Sequence, residues 1–360
     1  MISKIVGQSI NKQCRYPSFQ GNENARQVPE PNAADKFIAA VDSIAKKEQH
    51  GGFMSKYMWS PTAFFTGAAL PCIYESITLI KARRLKLGGS TPELKALLKH
   101  FKRNLALLII GGIGVMEGLQ CYFNSQTDKN IKNFRKTFDK INTKSSAELD
   151  DKTFRSTYKG AFCNSLNGKV SVNRNLINDP IFATRLKGLI KHELVHAGQF
   201  ETIARSEDGI KKLNYASVAK VANIAKSSYE TKKEFEEIYK AVSEDTTGKY
   251  DKVTIKLSGA DVNFKNYINA IHILLNDEKA GYNDIPMILD MSHYENIIKE
   301  KGKLSTEEEQ KADMYYEALL QYSDITPINA LNPFGSYRSN ILEKEAYKEN
   351  QSWFMNIFNK

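Results

Sequence analysis

Two apolar segments, Tyr57 to Ile80 and Leu105 to Phe123, flank a dense run of cations, and any fold of this chain must find a place for both. Each segment approaches the roughly 20 apolar residues needed to cross a bilayer. Between them lie Lys81, Arg83, Arg84, Lys86, Lys95, Lys99, Lys102 and Arg103, against the single acid Glu93. A helical hairpin with a basic cytoplasmic loop satisfies the positive-inside tendency. The segments are not clean, because Pro61, Pro71 and Glu75 interrupt the first, and Glu117 and Gln120 follow Met116 in the second. A carboxylate at mid-bilayer costs of order 3 kcal/mol, so Glu75 and Glu117 are expected to face the hairpin interior, sharing a proton or meeting a cation. Gly114 and Gly118 form a GxxxG pair that suits close helix approach. Insertion of residues 57–123 into a membrane and burial of the same hairpin inside a soluble fold are both compatible with this pattern.

The chain as a whole is globular in composition, with 41% hydrophobic and 26% charged residues, which excludes disordered and collagen-like classes. Its formal net charge of +10 is dispersed apart from the one cluster, and no nucleic-acid-binding motif accompanies it, so a nucleic-acid partner is not expected. Cys14, Cys72, Cys121 and Cys163 form no CxxC pair, which points to reduced, mostly buried thiols rather than a thiolate metal site. Residues 1–31 lack the apolar core of a signal peptide. Both observations suit a reducing compartment, with the chain membrane-associated or cytoplasmic.

Periodicity divides the sequence into a flexible tail (1–34), a helical region with the two apolar segments (35–125), and a larger unit (126–360) carrying a helical insertion. Phe37, Ile38, Val41 and Ile44 recur at helical spacing, giving a short amphipathic helix from Asp35 to about Lys47. Residues 124–152 are polar and lysine-rich and read as a linker or a solvated helix. Alternation marks one strand at Lys169 to Ile177 and a second, shorter one at Lys252 to Leu257. The fold class is therefore mainly α with a small β-sheet, an α+β arrangement.

Asp179 followed by Pro180 is a helix-start signal, placing a helix from about Pro180 past His196 with Asp179 as its N-cap. Phe182, Leu186, Leu189 and Ile190 set its buried stripe, while Arg185, Lys187 and Lys191 lie opposite. His192, Glu193 and His196 continue the inward face, where an isolated polar group would be expensive. Four residues are 400° of rotation, so both imidazoles project from one side about a turn apart and can offer nitrogens to one zinc ion. Glu193 sits at the edge of the same space, where it can take a proton from a water activated by the metal.

The strand, the capped helix and the run HELVHAGQ resemble the zincin superfamily of metallopeptidases, over residues 169 to 200. The metzincin pattern is disfavoured, since it needs Gly and His where this chain has Gln199 and Thr202. The downstream segment ILEKEAYKENQ, with Glu345 and Glu349 four apart, resembles the glutamate-zincin branch that includes thermolysin. That resemblance implies Glu345 as third ligand and Glu349 as the partner orienting a histidine, with Glu343 as the alternative ligand. It implies a zinc cofactor, a peptide or protein substrate, and hydrolysis of peptide bonds with Glu193 as general base. The competing reading is a membrane-associated or scaffold protein whose zinc site is structural or inactive. Tyr347, His272, His293, Tyr294 and Tyr337 are all candidate donors to the oxyanion.

Overall fold

The computed structural model describes residues 30–58, 60–87, 91–143, 145–150, 152–156, 160–179, 183–257, 260–322 and 339–348. Helices dominate, with one small three-stranded sheet and one two-stranded hairpin.

The first helix, α1 (Ala33–His50), starts at Asn32, whose side chain accepts from Asp35 N at 3.0 Å. Its buried face, Ala34, Phe37 and Val41, does not meet the apolar segments. It packs instead among Val218, Phe235, Ile255, Phe264 and Ile271, deep in the larger unit. The region expected over 35–125 therefore divides: α1 joins the downstream core, and only the part after it forms the hairpin.

A single turn, α2 (Phe53–Tyr57), leads to α3 (Pro61–Arg84) and α4 (Pro92–Ser125). These two helices pack antiparallel. They come close at Gly67 and Gly112, where a Cβ on Gly67 would lie 2.8 Å from the Gly112 carbonyl oxygen. Nothing lies within 4 Å of where a Cβ would sit on Gly114 or Gly118. The GxxxG pair singled out from the sequence thus faces away from α3, because Gly114 and Gly118 stand 200° and 600° round from Gly112 and only Gly112 lies on the seam. Farther along, Asn104 Nδ2 donates to Tyr74 Oη at 3.0 Å.

Helix α5 (Thr127–Ile141) follows α4 after one residue. It is amphipathic rather than simply solvated, and buries Phe134 and Phe138 against the sheet. In that sheet β3 (Lys169–Val172) is central, parallel to β1 (Glu148–Leu149) and antiparallel to β2 (Ala161–Cys163). The strand expected to reach Ile177 stops at Val172. Asn173 Oδ1 accepts from Asn175 N at 3.2 Å and starts a short helix, α6 (Arg174–Asn178). Asn capping of the chain thus overrides the apolar Leu176 and Ile177 that suggested a continuing strand.

Next come α7 (Ala183–Arg205), α8 (Gly209–Lys226) and α9 (Tyr229–Ser243). The β-hairpin β4 (Thr254–Leu257) and β5 (Ala260–Asn263) follows, then α10 (Phe264–Asn276), α11 (Ser292–Lys301) and α12 (Thr306–Tyr322). Residues 341–348 form a last helical segment, α13. Helix α7 is the axis of the larger unit. Leu186, Ile190 and Ala197 pack on the sheet, while Phe200, Ile203 and Ala204 pack against α8, α11, α12 and α13. The chain is mainly α with small sheets, as its periodicity indicates.

The Asp179 carboxylate is engaged at the start of α3, where it accepts from Thr62 N at 3.2 Å, Thr62 Oγ1 at 3.1 Å and Ser60 Oγ at 3.4 Å, and so serves the Thr62 N–H in the first turn of that helix. Pro180 and Phe182 lie outside the described residues. Nearby, Asn175 Nδ2 donates to the carbonyls of Ser55 and Lys56, both at 2.7 Å, and Arg155 Nη2 donates to Asn124 Oδ1 at 2.6 Å. These side chains are buried, and together they bolt the base of the hairpin to the larger unit.

A buried histidine–glutamate group as candidate metal centre

The placement of each site residue follows from helical phase. On α7, Leu186 and Ile190 fix the inward face, Lys187 and Lys191 are exposed, and His192, Glu193 and His196 are buried at 6%, 7% and 8% relative exposure. On α13, Leu342 and Ala346 are buried four residues apart, while Lys344 and Lys348 are exposed. Glu343 is adjacent to Leu342 on that stripe and is fully buried. Asn340 sets the entry to α13, accepting from Leu342 N at 2.9 Å and donating to the Ala318 carbonyl on α12 at 2.8 Å.

These two helices bring three donors together. Glu343 Oε2 lies 3.3 Å from His192 Nε2, and Glu343 Oε1 lies 3.3 Å from His196 Nε2. The two Nε2 atoms are 3.2 Å apart, and the three ligand atoms all fall within 4.8 Å of one another. Among the described residues this is the one group of three such side chains that could hold a metal ion.

Glu345, assigned as third ligand from its spacing to Glu349, is elsewhere. Two residues along a helix are 200° apart, so Glu343 and Glu345 leave α13 on different sides, and Glu345 meets α7 at Gln199 rather than at the histidines. Glu345 accepts from Gln199 Nε2 at 3.2 Å and from the Tyr315 hydroxyl, with Lys311 Nζ 3.8 Å away. Glu349 and Tyr337 lie outside the described residues.

Gln199, which entered the sequence reading only as a departure from the metzincin pattern, is part of the site. Its Oε1 lies 2.9 Å from His196 Nδ1, and its amide also donates to the Leu342 carbonyl at 3.1 Å. An amide oxygen can only accept, so His196 Nδ1 carries a hydrogen and Nε2 is the ring nitrogen turned toward Glu343 and His192, the one that would offer its lone pair to a bound metal. The available signal was its i,i+3 spacing from His196 on one helix face. His192 Nδ1 is buried with no hydrogen-bond partner among the described residues.

Glu193 is fixed from the other side. Its Oε2 accepts from the Cys163 backbone N–H of β2 at 2.8 Å, which ties the site helix to the sheet edge. Burial, with the Glu193 charge beside it, pushes the Cys163 thiol well up. Of the cysteines expected to be mostly buried, Cys72 and Cys121 are instead exposed on α3 and α4, and neither they nor Cys163 form a disulfide.

The electrostatics of the group follow from its composition. Burial acts to raise Glu343, but hydrogen bonds from His192 and His196 outweigh it and hold the carboxyl well below the usual range. Burial likewise acts to lower His196, yet the bond to Glu343 and the charges of Glu193 and Glu343 prevail and raise it. The metal-free group therefore favours an ionised carboxylate facing a protonated imidazole, a charge balance that a bound cation would replace.

Of the candidate oxyanion donors among the described residues, Tyr347 is the one in contact with the group, its ring centroid 4.8 Å from that of His192. Tyr294 donates to the Ser165 carbonyl at 2.9 Å, His293 lies against Gly168, and His272 stacks on Tyr239.

Fold and site together define a mainly α protein with a buried His-His-Glu group able to hold a metal ion and a long apolar helical hairpin beside it. No protein-family model matches the chain, and no curated protein or solved structure matches it either.

Proposed function

We propose that the chain is a zinc-dependent peptidase, with His192, His196 and Glu343 holding the metal and Glu193 as general base. The observation that carries this reading is the donor count. Two imidazoles and one carboxylate converge, while Glu193 stands one residue from a ligand, and three protein ligands leave a position open, as catalytic zinc sites do. The donor set fits zinc, whose usual ligands are histidine nitrogen and carboxylate oxygen.

Bound zinc would act as a Lewis acid, polarising the scissile carbonyl and lowering the pKa of water. The chain supplies the rest. Gln199 holds His196 in the tautomer that presents Nε2, and Cys163 N–H holds one oxygen of Glu193. Glu193 would receive the proton of the attacking water and pass it to the leaving amine. Tyr347 is the favoured donor to the oxyanion because its ring adjoins His192.

A second reading, a structural metal site in a membrane-bound scaffold, is favoured by the burial of all four side chains. Metal analysis of the purified chain, followed by hydrolysis of a quenched peptide library, tests both. The peptidase reading requires one zinc per chain, with Glu193→Gln keeping the metal and losing hydrolysis. Zinc without hydrolysis in the parent chain would establish the structural reading.

We further infer that the hairpin inserts into a membrane. Both helices pass the length and hydropathy needed to cross one, and only 17% of each apolar window is buried. The full chain should then resist extraction by high salt, because apolar burial is insensitive to screening.

A further inference from the structure

We propose that α3 and α4 cross the bilayer completely, placing the metal-binding unit on one face and the basic tip of the hairpin on the other. This rests on membrane insertion as proposed above, and decides between three ways an apolar hairpin can meet lipid.

Lying flat in the interface requires a helix with one wet face. Neither helix has one. On α3 the exposed side chains Phe64, Phe65, Ile73, Ile77, Leu79 and Ile80 spread over about 220° at 100° per residue, and Ala63 and Gly67 cover most of the remainder against α4. On α4, Leu107, Ile109, Ile110, Ile113 and Val115 likewise point in every direction except the seam of Gly112 and Met116.

Ending inside the bilayer requires an apolar tip. This tip is the most cationic stretch of the chain, from Lys81 to Arg103. At roughly 3 kcal/mol for each lysine or arginine held at mid-bilayer, burying several of them there is far costlier than carrying them across to the opposite headgroups.

Crossing requires length and two polar ends. Helix α3 has 24 residues, about 36 Å at 1.5 Å each, and α4 is longer at 34. From the pairings Gly67 with Gly112 and Tyr74 with Asn104, the zone uncharged on both helices runs from Ala63 to Tyr74 against Leu105 to Met116, about 18 Å. That is shorter than the ~30 Å hydrocarbon core, and the aliphatic stems of Lys99, Lys102 and Arg103, with local thinning of the bilayer, bridge the difference. At the near end Lys56 Nζ meets Glu117 Oε2 at 2.8 Å, so the carboxylate on α4 is already neutralised where the hairpin joins the larger unit.

The test uses the full chain in sealed vesicles of phosphatidylcholine and phosphatidylglycerol, with the four native cysteines replaced by serine. One reporter, Leu85→Cys, sits at the tip, and a second, Lys226→Cys, on an exposed turn end of the metal-binding unit. A membrane-impermeant maleimide should label one or the other, never both on the same chain, until detergent opens the vesicles and doubly labelled chains rise to nearly all. Doubly labelled chains before detergent would put tip and unit on the same face and overturn the crossing. A tip unlabelled from either side would overturn it as well, by placing the tip inside the bilayer. Chains left in the aqueous phase without detergent would overturn membrane insertion itself.

Discussion

Gln199 holds His196 by the ring nitrogen that faces away from Glu343, with Oε1 2.9 Å from Nδ1. The same amide reaches Glu345 on α13 at 3.2 Å, so one side chain links both helices that build the histidine–glutamate group. Orienting partners of ligating imidazoles typically contribute 10–100-fold in metal affinity. Gln199→Leu should therefore weaken zinc binding by about that factor in a chelator competition titration, with the far-ultraviolet spectrum unchanged. An unaltered affinity would mean the contact is dispensable.

Glu343 and Glu345 should separate cleanly. Glu343→Ala removes a third of the donors and leaves His192 and His196 facing each other, so stoichiometric zinc should be lost. Glu345→Ala breaks only the contacts to Gln199 and Tyr315, and should reduce affinity no more than Gln199→Leu. Metal content by mass spectrometry reads both, and the reverse ranking would return the ligand role to Glu345.

Metal uptake should release a proton. The bond to Glu343 and nearby charges raise His196 in the metal-free protein, and zinc needs its neutral form, so binding should displace a proton wherever the imidazole is charged and should weaken as pH falls. Calorimetry in buffers of different ionisation enthalpy measures this directly. For the metal-free fold the signs are opposite at the two partners. Depressed Glu343 stabilises above its unfolded value, about 4.3, and this is lost on acidification through its lowered pKa; raised His196 stabilises below about 6.5, and this is lost as pH rises through its own. The pair therefore contributes fully between those two values, and adding zinc should move the stability optimum upward.

Glycine substitutions discriminate the two faces of α4. Gly112→Val drives a side chain into the Gly67 backbone and should cost about 1–3 kcal/mol of hairpin stability. Gly118→Ala meets nothing within 4 Å and should be neutral or stabilising by up to about 1 kcal/mol. Thermal unfolding in detergent micelles checks the contrast, and equal effects would remove the Gly67–Gly112 seam.

Asp179→Ala should lower stability by about 1–2 kcal/mol, the cost of losing a helix cap, although it lies more than a hundred residues downstream of the helix it serves. Denaturant titration should show this with zinc content preserved.

The site helix was legible because its information is local: Leu186 and Ile190 mark a face, and His192, Glu193 and His196 continue it. Glu343 was legible in the same way, but a third ligand was sought by a different rule. Leu342 and Ala346 mark the buried stripe of α13 and put Glu343 on it, whereas the spacing of Glu345 to Glu349 carried no information about which face turned inward. The contact of Asp179 with α3 was not legible, because Asp followed by Pro announces a helix start next in the chain, whereas α3 arrives there from far away in sequence. The same holds for α1, whose amphipathic pattern was plain while its partner surface, assembled from residues 218–288, was not.

The joint between hairpin and larger unit has no slack in it. Asp179 grips the start of α3, Arg155 reaches Asn124 near the end of α4, and α5 begins one residue after α4 ends. Asp179 is also thirteen positions ahead of His192 in the chain. A catalytic unit tethered by a loose leash samples many heights and angles above a surface, but this one would be carried like the head of a nail. Tilting the helices would turn the histidines with them, so on the proposed reading a bilayer that fixes the hairpin would also fix how far from the lipid a substrate stands.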